Sequence, residues 1–170
     1  MWMGIVIVSL AVIMMVGPLM MMRPSKRQHR LANLRTLAHK HSLKVQLQTI
    51  LEGDTLITPF YELSWDSIEQ SIEQKNRPCW LLIKQDYSHG IHFHERWDWH
   101  EESPASKGIW NALRQQLDLL PDNIVGIRLS TSGLGCYWPE RIKGKSDEDS
   151  IEFLKNWLHS TLAMIAEHHQ

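Results

Sequence analysis

Hydrophobic and polar positions divide this chain into three stretches of different rhythm. Residues 1–22, MWMGIVIVSLAVIMMVGPLMMM, are apolar throughout and hold no charged side chain. At about 1.5 Å rise per residue, a helix of that length matches the roughly 30 Å apolar thickness of a bilayer. Ser9 can bond back to its own helix, and the Gly17-Pro18 pair is better tolerated in lipid than in water. The stretch predicts one transmembrane helix. It lacks the leading charges and the small-residue cleavage site of a signal peptide, since Leu19-Met20-Met21-Met22 runs directly into Arg23. From about Lys26 to His41, Leu31, Leu34 and Ala38, with Leu37 beside them, recur every three or four positions. That spacing predicts an amphipathic helix whose other face carries Arg27, Arg30, Arg35 and His41.

From residue 45 the period changes to two. Val45, Leu47 and Thr49 alternate with Gln46 and Gln48, which predicts a strand. Glu52-Gly53-Asp54 turns the chain, and residues 55–63 return as a second strand that Pro59 restricts to an edge or a bulge. Ser64 then opens a short helical pattern with Leu63, Trp65, Ile68 and Ile72 near one face, and Asn76-Arg77-Pro78 ends it. Residues 79–86 are apolar enough for a central strand, and residues 87–90 have turn chemistry. Along residues 91–100, Ile91, Phe93, Trp97 and Trp99 point inward. His92, His94, Arg96, Asp98 and His100 point outward, and Glu95 breaks the alternation. Ser103-Pro104 is a helix opening, followed by Ile109, Trp110, Leu113 and Leu117. A hairpin over residues 124–138 turns at Thr131-Ser132-Gly133, and Lys143-Gly144-Lys145 is a loop. Ser146 and Asp149 then cap a long helix striped by Ile151, Leu154, Leu158, Leu162 and Ile165. From residue 79 the order is strand-strand-helix, twice. The predicted class is α+β, a two-layer domain with an antiparallel sheet and helices on one face. The expected domains are a 1–22 anchor, a 23–44 basic juxtamembrane helix and a 45–170 α+β domain.

Charge sharpens this division. Residues 23–44 hold seven of the eighteen basic residues and no acidic one. The last 126 residues set eleven basic against all nineteen acidic residues, a net charge of −8 with histidine neutral. An acidic domain is a poor partner for nucleic acid, whose binding depends on neutralising phosphates. The collar suits anionic lipid head groups, which attract each nearby Lys or Arg by about 1 kcal/mol. Arg23, Lys26, Arg27, Arg30 and Arg35 are the candidate membrane-surface contacts. Positive flanks stay on the cytoplasmic side, so the N-terminus is expected outside and the domain in the cytosol. Cys79 and Cys136 lie in apolar segments and are expected there as ordinary, largely buried thiols.

Arg23-Pro24-Ser25-Lys26-Arg27-Gln28 after an apolar span resembles the YajC-type accessory subunit of the bacterial preprotein translocase. Gly53-Asp54-Thr55-Leu56-Ile57-Thr58 is faintly similar to that family's Gly-Asp-x-Val-x-Thr segment. The glycine-rich turn that follows in the family is absent, because Pro59-Phe60-Tyr61 stands there, and this chain continues well beyond the family's end. The resemblance covers about the first third. It implies a bacterial inner membrane protein accessory to a translocase or another membrane complex.

Candidate chemistry is sparse. No phosphate loop, nucleophile elbow or dinucleotide fingerprint occurs, and no catalytic residue is assigned. His92 and His94, two apart on a strand, would share a face about 7 Å apart, a spacing that two ligands of one zinc ion can use, with His89, His100 or an acid such as Asp98 as a third. The plainer alternative is a solvated row of histidines and no cofactor. Among the eight tryptophans, Trp2 fits an outer membrane interface. Trp65, Trp80, Trp110, Trp138 and Trp157 fall on apolar faces, whereas Trp97 and Trp99 beside Asp98 are candidate anchors for a partner. The expected function is non-enzymatic: a single-span membrane protein whose domain docks or tethers another membrane or cytosolic protein. A translocase-accessory subunit and a histidine metal-binding domain are the alternatives.

Overall fold

The long apolar stretch does wind into a helix, α1 (Trp2–Met21), with no acidic residue in its first turn and no basic one in its last. The computed structural model describes residues 2–21, 25–69, 72–87, 93–100, 104–140 and 146–168. Along α1 the described side chains, at positions 2–10, 12 and 14, are all exposed. Among the described residues no helix is long and apolar enough to cross a membrane. The expected helix is therefore present, while its expected role as a span is not carried by the described residues. Arg23, like the loop at 143–145, falls outside them.

The chain separates into two units, Met1–Asn33 and Leu34–Gln170. The first contains α1 and the opening of α2 (Lys26–Lys40), where Ser25 Oγ accepts from the Gln28 amide and the Gln28 side chain accepts from the Ser25 amide. That reciprocal pair satisfies two donors at the helix start. The unit beginning at Leu34 takes in the rest of α2, eleven positions ahead of the expected boundary at Val45. Leu34 and Ala38 are fully buried there and Leu37 is half-buried. α2 closes through Ser42 at φ 64°, with the Leu43 amide donating to the Ala38 carbonyl. This is a Schellman-type stop built without the usual glycine.

Six strands follow: β1 (Lys44–Thr49), β2 (Ile57–Ser64), β3 (Trp80–Lys84), β4 (Trp97–Trp99), β5 (Gly126–Leu129) and β6 (Gly133–Tyr137). They form one sheet in the order β1-β2-β6-β5-β3-β4, antiparallel throughout. With α3 (Trp110–Asp118) and α4 (Asp147–Glu167) the chain is α+β. From β3 onward the order is strand-strand-helix twice, as expected. One sheet face, including Tyr61, Leu134, Ile127 and Leu82, packs with the buried side chains of α2, α3 and α4 into the main core. Ser146 accepts from the Asp149 amide and caps α4 as the sequence anticipates. The opposite face was expected to be wet and lined by histidines. It instead carries a second, smaller apolar layer of Phe60, Leu81 and Tyr137, with Ile50 and Leu51 from the β1–β2 connection packed on it.

Four expectations change in detail. Pro59 lies in β2, an interior strand, and not at an edge. It fits because its carbonyl accepts from Trp138, one residue past the end of β6, so its missing N–H faces a ladder that has already stopped. Among the described residues the helix expected from Ser64 appears as two 3-10 turns, Trp65–Ser67 and Gln74–Asn76, and residues 70 and 71 lie outside the described residues. The Trp65 amide and indole both donate to the β5–β6 hairpin, at Ser132 and Ser130, which ties the segment down instead of letting it wind. The helix expected from Ser103-Pro104 starts at Trp110, after a 3-10 turn at Lys107–Ile109. The Trp110 indole folds back onto the Ala105 carbonyl, and Ser103 lies outside the described residues. Of the long strand expected over 91–100, the described residues 93–100 form β4 alone as a strand, and residues 88–92 lie outside the described residues. Glu95, at φ 49°, makes a tight turn in which His94 and Trp97 exchange both backbone hydrogen bonds.

Candidate functional site

A buried polar group joins α2, β2 and the segment after β6. Arg35 Nε and Nη2 donate to the two carboxylate oxygens of Glu140 at 2.8 and 2.9 Å. The Tyr61 hydroxyl donates to the same carboxylate at 2.8 Å. Glu140 has a left-handed backbone, φ 57°, and its side chain is only 4% exposed. Each partner has a local cause. Arg35 follows the buried Leu34 on α2, and Tyr61 is an inward position of β2. Pro139 ends the β6 hairpin and delivers Glu140 beneath the helix. A fork-to-fork ion pair with one further donor satisfies a buried carboxylate well. The Glu140 hydrogen bond holds the Arg35 guanidinium firmly charged, against a smaller opposing effect of burial. Arg35, a candidate lipid contact, has its guanidinium engaged by Glu140 within the domain. Lys26, Arg27 and Arg30 are exposed, while Arg23 lies outside the described residues.

The arrangement is a clamp that joins α2, β2 and the segment after β6. The arginine fork is filled by the carboxylate. Burial first, and the Glu140 charge second, hold the Tyr61 proton well above the ordinary tyrosine value of 10.0. Burial likewise holds the Cys136 thiol, on β6 opposite Tyr61, far above its ordinary 9.0. Neither group offers a proton or a nucleophile near neutrality. Well below pH 9 both keep their protons in the folded and the unfolded chain, so their full contribution to stability is present there. Above it the unfolded chain releases protons that the folded chain retains. Stability therefore falls as pH rises, by up to about 1.4 kcal/mol per unit for each group. Urea midpoints measured upward from about pH 8 should decline accordingly, and Tyr61→Phe with Cys136→Ala should flatten the slope.

Among the described residues the histidines do not converge. His89 and His92 lie outside the described residues. His94 Nε2 is 2.6 Å from the Asp118 carboxylate at the end of α3, so one partner already holds it. His100 is exposed and its amide donates to Leu81. Among the described residues no group of three His, Cys, Asp or Glu side chains could hold a metal ion. The turn at Glu95 is the physical reason that His94 and His100 do not share one continuous strand face.

Trp97 is 3% exposed and belongs to the core. Trp99 packs half-buried against it, edge-on to Trp80 and 4.7 Å from the Phe93 ring. Trp97 is thus spent in the core, while Trp99 keeps part of its surface exposed. Trp65, Trp80, Trp138 and Trp157 are buried as anticipated, and Trp110 is half-buried. The indole N–H groups of Trp80, Trp99 and Trp138 are buried without a partner, which places these residues for packing area rather than for hydrogen bonding.

Both cysteines are free. Cys136 is buried, but Cys79, expected to be similar, is exposed because β3 begins one residue later. A small alkylating reagent should label one thiol per folded chain within minutes and the second only in denaturant, as read by intact mass. Labelling of both in the folded chain would contradict the β6 packing.

Sequence reading missed two buried carboxylates. Glu140 sits beyond a strand-ending proline, where nothing in the residue pattern pairs it with Arg35. Glu62, on β2 and 4% exposed, accepts from Ser132, with Ser130 beside it. Its one available signal was an acid set among apolar and aromatic neighbours in a strand. No family model, no curated protein and no solved structure matches the chain.

Proposed function

We propose that this is a non-enzymatic, single-span membrane protein whose acidic α+β domain docks another protein at the membrane surface. One observation supports it most: twenty-two residues without a charged side chain lead into seven basic residues with no acid among them. Wound as one helix at about 1.5 Å per residue, that sequence would match the roughly 30 Å apolar thickness of a bilayer. The basic flank favours a cytosolic domain, in the inner membrane if the organism is bacterial. With Arg35 engaged by Glu140, the lipid contacts in this reading are Arg23, Lys26, Arg27 and Arg30.

Docking suits a domain with a net charge of −8 and with Leu47, Leu56, Ile57 and Leu119 exposed on it. The test is affinity purification of the full-length chain in mild detergent with mass spectrometry. A single membrane or peripheral protein recovered in stoichiometric amount supports docking. Translocase subunits in that fraction would assign the accessory role that the Arg23-Pro24 resemblance implies. A purified chain with substrate turnover and no partner would overturn the reading.

A further inference from the structure

We infer that β1 is a self-pairing edge, on which a second copy of this chain adds its own β1 antiparallel and joins two six-stranded sheets into one. The inference does not depend on where α1 resides. β1 is terminal in the sheet, and its register against β2 runs unbroken from Lys44 opposite Glu62 to Thr49 opposite Ile57, with no bulge. Natural edge strands are usually blunted by shortness, proline, a bulge or an inward-pointing charge. The other edge, β4, has three residues, and its Trp97 is buried. β1 has six residues, KVQLQT, whose single charge stands at one end.

The hydrogen-bonding direction follows from the observed ladder. Pro59 accepts from Trp138 on the β6 side, so odd-numbered residues of β2 aim their backbones at β6 and even-numbered ones at β1. Through the register, Gln46 and Gln48 bond inward to β2. Val45, Leu47 and Thr49 therefore aim N–H and C=O groups outward. A two-fold axis at Leu47 sets Leu47 against Leu47 of the copy and Val45 against its Thr49. Every outward group then meets an outward group, which a one-residue slip does not allow. On the side-chain side Leu47, 59% exposed, gains a leucine neighbour and extends the row that continues to Pro59. On the opposite side Gln46 faces Gln48, two amides that can pair. Lys44 falls opposite Ile50, so no like charges meet.

The full-length chain in mild detergent should show a protein mass twice 19.9 kDa by light scattering corrected for bound detergent. Leu47→Lys places two like charges across the axis and should halve the mass without changing the circular dichroism. A second measurement fixes the register independently of that variant. In a Cys79→Ser background, mixed Gln46→Cys and Gln48→Cys chains should oxidise to a disulfide heterodimer, because non-hydrogen-bonded pairs bring Cα atoms to about 4.5 Å. A single-chain mass overturns self-pairing, whether β1 is then bare or covered by another protein's strand. A doubled mass that survives Leu47→Lys, or crosslinking by Gln46→Cys alone, overturns it as well.

Discussion

A chain shortened to begin at Lys44 will not fold cooperatively, while one beginning at Lys26 will. The loss is large because α2 is part of the domain core. Leu34 and Ala38 are at most 1% exposed, and Leu43 is buried beside the helix stop. Removing one buried leucine alone costs about 2–5 kcal/mol. Removing Arg35 also leaves the Glu140 carboxylate, 4% exposed, with Tyr61 as its remaining donor. Breaking a buried pair costs about 3–5 kcal/mol, and partial solvation of the Arg35 end reduces that to about 2. Together these approach the whole stability of a small domain, about 5–15 kcal/mol. Point variants separate the contributions: Leu34→Ala should cost about 3 kcal/mol and Arg35→Ala about 2. Urea unfolding followed by circular dichroism measures both. A Lys44-starting chain with the full-length midpoint would show that α2 is dispensable.

Gly133→Val is expected to be the most damaging single substitution in the sheet. A Cβ on Gly133 would strike the Leu63 carbonyl oxygen, with the Leu63 carbonyl carbon at 2.8 Å and Ser64 Cα at 3.0 Å. All three are backbone atoms of β2, so the clash cannot be relieved by turning a side chain. Overpacking usually costs about 1–3 kcal/mol. Here the relief is to part β2 from β6 at Ser64 opposite Gly133, so about 3 kcal/mol or more is expected. Gly135→Ala should fall below that, because its Cβ would meet the Phe60 ring, which can shift within the smaller apolar layer. Gly108→Ala, whose nearest neighbour is Ser106 Oγ at 3.8 Å, should be close to neutral. Equal midpoints for the Gly133 and Gly108 variants would refute the β2–β6 register.

Much of the architecture was legible because it rests on local rhythm. Period two located β1, β2, β5 and β6, and period three to four located α2 and α4, where the apolar stripe is the buried face. Errors came where a distant contact overrode the local pattern. Alternation over 91–100 looked like one strand, yet its exception, Glu95, is the turn residue that breaks it. Trp65 opens a 3-10 turn where a longer helix was expected, its indole tied to the Ser130 carbonyl, whereas Trp110 is helical as read but begins α3 later than expected, its indole tied to the Ala105 carbonyl. Pro59 suggested an edge because the sequence cannot show that β6 ends just before reaching it. The clamp was invisible for the same reason: Arg35 and Glu140 are 105 residues apart. A basic helix face does not reveal which of its arginines a folded domain will claim.

Residues 1–22 are expected to hold the domain at a bilayer. Membranes from cells making the full-length chain with a tag after Gln170 should be washed at alkaline pH and then treated with protease from either side. The tag should stay in the pellet after the wash and be cleaved only from the cytosolic side. Release of the chain into the supernatant, or cleavage of the tag from outside, would contradict the membrane anchor or its orientation respectively.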